Sequence, residues 1–219
     1  MLTGSKFYQS PPFCGALLVP KTITSKLVNI TDEAVEPFLK IFSTSDISSN
    51  HPKLRSKFRH NENYGTLLRW EAAISEMKLL SFYGEDMVTM SVDRWNAFII
   101  SQLQIKSDYF ELMPDQQFTN RSIVSFNVKH SDGSLLTDDE LRVLYLAICA
   151  KERNDFFEFK KIIIGQPVKY DNKSFIRLAL GSYNVRMLIA NDFNFQFDKK
   201  LISIIVKELK NLYLSLIHI

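Results

Sequence analysis

Thr3, Gly4, Ser5, Lys6, Phe7 and Tyr8, then Pro11, Pro12 and Phe13, then Ala16, Leu17, Leu18 and Val19 up to Pro20: this opening stretch sets the expected fold. Gly4 and the paired prolines punctuate it, and the apolar run that follows is too short for a helix. It reads as a turn that carries one lysine, leading into a short buried strand.

Outward from there, residues 43–65 are rich in Ser, Asn, His, Lys and Arg around Pro52, the composition of a long polar loop. Residues 66–82 follow with Leu67, Trp70, Ala73, Ile74, Met77 and Leu80 at helical spacing, ended by Gly84. A second helix is expected over residues 87–106, with Val92, Trp95, Phe98, Ile99 and Leu103 on one face. From Tyr109 the pattern turns to strands and helices in alternation, the mark of an α+β domain. Residues 121–129 alternate Ile123, Ser125, Asn127 against Val124, Phe126, Val128, a strand with two different faces. Asp132 and Gly133 then signal a turn, and Thr137 with Glu140 forms a capping box for a helix to about residue 151. Strands are expected over 161–168 and 174–180, and a closing helix over 197–213, where Leu201, Ile204, Ile205, Leu209 and Leu212 repeat. Trp70 and Trp95 are expected to pack in the core.

The 219 residues are 46% apolar, enough to fill a real core, and 27 basic against 24 acidic residues leave only +3, spread along the chain. Nothing in that balance argues for nucleic acid. Cys14 and Cys149 are too few for a disulfide framework or zinc site and fit core positions in a reducing compartment. The apolar runs are far shorter than the roughly 20 residues that cross a bilayer. With no signal peptide in view, a cytoplasmic protein without membrane partners is expected, and no metal site.

The opening segment resembles that of class V aminotransferases and cysteine desulfurases, fold-type-I enzymes that use pyridoxal 5'-phosphate (PLP). In that family a lysine after a small-residue turn forms the internal aldimine, which the resemblance assigns to Lys6, with Thr3 and Ser5 beside the cofactor phosphate. A primary amine suits the task, because it forms an imine, is displaced by a substrate amine and then carries the α-proton. Phe175, Ile176, Arg177, Leu178, Ala179, Leu180, Gly181, Ser182, Tyr183 and Asn184 resemble the strand that bears the substrate-carboxylate arginine. Arg177 is thus the expected clamp, since a guanidinium grips a carboxylate through two parallel hydrogen bonds and keeps its charge. Arg59, His60, Asn61, Glu62, Asn63, Tyr64 and Gly65 sit before a long helix, as does the family's loop that reaches the neighbouring subunit's phosphate. There the family uses a threonine; Asn61 stands nearest to it. His51 and His60 read as solvated loop residues.

One departure narrows the chemistry. Where cysteine desulfurases carry their nucleophile, in a segment ending Gln-Pro, this chain reads Ile162, Ile163, Ile164, Gly165, Gln166, Pro167, with no thiol. The resemblance implies an aminotransferase acting on an amino acid, with a lyase of the desulfurase or kynureninase type, or a non-catalytic interaction protein, as alternatives. It implies an α/β architecture: the C-terminal part of a PLP-binding large domain with interdomain helices over 1–106, then a smaller α+β domain over 107–213, in a parent that is a homodimer. The start on Thr3 to Lys6 suggests a fragment without the earlier cofactor-binding elements, inactive alone. Leu214, Ser215, Leu216, Ile217, His218 and Ile219 resemble a translated sequencing adapter, so 214–219 are expected to be non-native.

Overall fold

The computed structural model describes residues 2–4, 7–12, 15–16, 20–24, 30–59, 62–113, 121–150, 162–170 and 173–217. The chain is a mixed α/β protein that divides into two compact units, Met1–Phe82 and Tyr83–Ile219. That division falls ahead of the expected boundary after residue 106. The helix between the two positions packs on the second unit's sheet and belongs to that core.

In the first unit, β1 (Leu2–Thr3) pairs antiparallel with β2 (Gly15–Ala16), Thr3 opposite Gly15. Residues 17–19, the rest of the expected strand, lie outside the described residues. Short helices α1 (Lys21–Thr24), α2 (Asp32–Val35) and α3 (Pro52–Arg55) precede the long α4 (Tyr64–Ser81). The expected polar loop over 43–65 is therefore not structureless. It holds a single helical turn at Thr44–Asp46, where Asp46 accepts from the Ser43 N–H at 2.8 Å, and then α3. Ser and Asp favour such local caps, which polar composition alone does not distinguish from coil.

The second unit opens on α5 (Glu85–Ile105), started by Gly84 at φ 74° and two acidic residues that complement the helix N-terminus. Four antiparallel strands follow: β3 (Phe110–Leu112), β4 (Ile123–Val128), β5 (Gly165–Tyr170) and β6 (Lys173–Ala179), in the spatial order β3-β4-β6-β5. Between and after them come α6 (Asp138–Cys149), α7 (Ser182–Ala190) and α8 (Gln196–Ile217). The strand expected over 174–180 is β6, within one residue at each end, and the residues that follow it in the stretch quoted for Arg177 enter a helix at Ser182. The strand expected from residue 161 begins instead at Gly165.

Alternation decides the layering. Val124, Phe126 and Val128 of β4 and Ile176 and Leu178 of β6 are buried on one face, with Val124 opposite Leu178 and Phe126 opposite Ile176. Phe110 packs edge-on against Phe126, ring centres 5.2 Å apart. Trp95, Ile99 and Leu103 of α5 and Leu141, Leu144 and Ile148 of α6 supply helical stripes to this core. α8 packs against both α5 and α6, so Leu201, Ile202, Ile204, Ile205, Val206 and Leu209 are all buried.

Candidate functional site

Arg177 lies on β6, an inner strand of the sheet, on the face opposite that core. Its neighbours Ile176 and Leu178 point into the core, so the pleat carries Arg177 outward with Phe175. Across the ladder it faces Ser125 of β4 on one side and Gly165 of β5 on the other. Glycine is needed there: a Cβ at residue 165 would stand 2.7 Å from the Arg177 carbonyl oxygen. The ladder also shifts register between Gly165 and Val168, the bulge such an approach produces.

The guanidinium is only partly provided for. Its Nε is buried without a hydrogen-bond partner, an arrangement that disfavours the free state unless an acceptor arrives. On the same face, Asn127 of β4 donates to Glu111 Oε1 at 3.3 Å, and Lys173 approaches that carboxylate at 3.6 Å. Asn127 is fully buried and its Oδ1 is likewise unpartnered. Sequence reasoning missed Asn127. The signal was a polar residue in an alternating strand, which ordinarily marks a solvated face.

The other expected site residues belong to the first unit. Lys6, Ser5 and Asn61 lie outside the described residues. Thr3 is in β1, and the Gly4 carbonyl accepts from the Ser10 N–H at 3.1 Å. Beyond Asn61, Asn63 caps α4: its Oδ1 accepts from the Thr66 N–H at 3.0 Å, and its Nδ2 donates to Asp46 at 3.1 Å. An open groove of about 370 Å³ lies beside this cap, lined by Lys40, Phe42, Arg59 and Glu62 among others. Nothing in the sequence reading marked Asn63 as the cap.

Of the two cysteines, Cys149 is half-buried near the end of α6, and Cys14 lies outside the described residues. Ile162 and Ile164 are buried just before β5, Ile163 is exposed, and no thiol stands in that segment. Among the described residues no helix is long and apolar enough to cross a membrane. The chain matches no protein-family model, no curated protein and no solved structure.

Proposed function

We propose that the chain carries the lysine and the carboxylate-binding arginine of a PLP-dependent enzyme acting on an amino acid, most simply an aminotransferase, and that the active enzyme is a homodimer. The observation that supports this most is Arg177: a guanidinium held at an inner strand of the sheet's second face, flanked by Ser125 and by a glycine, with Nε buried and unpartnered. A carboxylate supplies the missing acceptor and brings compensating charge, a combination for which a planar fork of donors is suited.

The donor chemistry of the first unit fits part of such a cofactor. Lys6 offers the amine that holds it, Thr3 and Ser5 offer hydroxyls, and Asn61 an amide to a phosphate. In sequence these residues lie next to the Gly4–Ser10 backbone hydrogen bond and the Asn63 cap. When bound, PLP supplies an aldehyde for amines and a conjugated ring that accepts charge from the substrate α-carbon. In this reading Arg177 would orient the substrate through its carboxylate, and Lys6 Nζ would take the proton from the substrate α-carbon. The absence of a thiol between Ile162 and Gly165 favours proton transfer over sulfur abstraction.

The test uses the longest reading frame containing these residues, purified from cells supplied with pyridoxine. The expected result is a PLP absorbance band that Lys6→Ala abolishes and Arg177→Ala retains, the latter with a raised KM for amino-acid substrate. Wild-type protein without bound cofactor would overturn the reading and favour a non-catalytic interaction protein.

A further inference from the structure

Helix α4 has two apolar faces. Ala73 and Leu80 are buried and Trp70 and Met77 half-buried on the same side, which accounts for one. The opposite side carries Tyr64, Leu67, Leu68, Ile74 and Leu79, with Phe82 at the cap position, all exposed; Leu68 is 68% and Phe82 83% open. At 100° per residue these six fall on one broad side of the helix. Six large apolar side chains this open form a patch on the order of 600 Å², the upper end for a soluble monomer and close to the ~800 Å² each partner gives to a standard interface.

The charges on this face indicate what covers it. Glu71 and Lys78 lie in the middle of the apolar side, both exposed, two turns apart. Neither forms an ion pair with another described residue. If two copies of α4 lie antiparallel about a twofold axis beside Ile74 and Ser75, Glu71 of each copy meets Lys78 of the other. The same axis sets Leu67 opposite Phe82. A twofold contact requires self-complementarity of this kind, in which one patch supplies both partners of every pair.

We infer that the exposed face of α4 is the homodimer interface, two α4 helices pairing antiparallel through Leu67, Leu68, Ile74, Leu79 and Phe82 and closing with reciprocal Glu71–Lys78 pairs. The inference rests on α4 alone and deepens the proposed function only by naming the face through which its dimer forms.

Light scattering and sedimentation equilibrium on the chain, with circular dichroism to verify folding, test it. Wild type is expected to dimerise. Glu71→Lys and Lys78→Glu should each raise the dissociation constant by roughly tenfold or more, because symmetry repeats every like-charge contact twice. The double exchange Glu71→Lys with Lys78→Glu should restore wild-type affinity. A monomer at all soluble concentrations, a dimer indifferent to the single changes, or a double variant no tighter than the singles would each overturn the inference. None of these outcomes bears on PLP absorbance, so the two proposals fail separately.

Discussion

Gly165 and Arg177 face each other across the β5–β6 ladder so closely that a methyl group on the glycine would meet the arginine's carbonyl oxygen at 2.7 Å and its Cβ at 3.1 Å. The obstacle is backbone, which cannot rotate aside. Gly165→Ala must displace β5 or distort β6, and overpacking of this kind costs about 1–3 kcal/mol. Urea denaturation should show that loss; a variant with an unchanged midpoint would mean the strands are farther apart than described. Under the proposed function, the same substitution should also raise KM for amino-acid substrate, since it shifts the backbone that presents Arg177.

Glu140 ties two segments together. It accepts from the Thr137 N–H and hydroxyl, both at 2.8 Å, and from His130 at 3.3 Å, joining the end of the β4 hairpin to the start of α6. Burial alone would raise its pKa, but the Thr137 hydrogen bonds and the His130 charge outweigh it and hold the carboxyl below its usual value. A depressed pKa contributes stability that is full above the unfolded value of about 4.3 and is lost as pH falls through the folded one. Thr137→Ala should cost about 1 kcal/mol at neutral pH. Glu140→Gln keeps an acceptor for the cap and should flatten the acid limb of a thermal-stability profile below about pH 4.5; a variant with the wild-type acid limb would remove Glu140 from it.

Much of the second unit was legible because its elements repeat. The apolar spacing of α5 and α8, the alternation of β4 and the Thr137–Glu140 box each recur within their own element, where local rules suffice. β3 has three residues, too few to show a period. α7 was not marked in the sequence: only two residues separate it from β6, and its glycine cap makes no side-chain cap bond. The boundary at Phe82 was hidden for another reason: whether α5 belongs to what precedes or follows depends on Trp95, Ile99 and Leu103 meeting β3 and β4, a long-range contact. Alternation places Arg177 on the non-core face, whereas its proposed role comes from resemblance. The burial of Asn127 arises from packing across strands, which no single strand's pattern contains.

Trp95 on α5 donates its indole N–H to Asp198 at 2.9 Å, fastening α5 to the first turn of α8. Burial pushes the Asp198 carboxyl above its usual range despite that hydrogen bond. The sign is opposite to that of Glu140: a raised acid pKa contributes stability present below the unfolded value of about 3.9, lost as pH rises through the folded one. Asp198→Asn retains an acceptor and should gain stability relative to wild type at pH 7, with the advantage shrinking by pH 4. Trp95→Phe removes the indole hydrogen bond to the carboxylate, leaving its own backbone N–H, and takes away buried volume, at about 2–4 kcal/mol. Guanidinium melts of both variants at the two pH values settle the sign; an Asp198→Asn variant less stable at neutral pH would show that the charge is needed at the α8 terminus.

Tyr213, near the C-terminal end of α8, donates its hydroxyl to the Lys129 carbonyl at 2.8 Å and sits beside the His130 ring, centres 5.7 Å apart. Burial first, then the charges of Glu140 and Asp132, push its pKa up to about 12. A raised phenol pKa means that the folded state favours the neutral form, so this contribution is complete below about pH 10 and is lost as pH rises through 12. Burial also raises the Tyr145 phenol, so ultraviolet titration of the eight tyrosines should show Tyr145 and Tyr213 among the late-ionising groups, and Tyr213→Phe should remove one late step. Because Lys129 loses a donor at a partly buried carbonyl, the same variant should lower stability by about 0.5–1.5 kcal/mol at neutral pH. At pH 11 and above the difference should narrow, since wild type must there ionise or strain the phenol that the variant lacks. A late-ionising amplitude unchanged by Tyr213→Phe would assign the step to another residue.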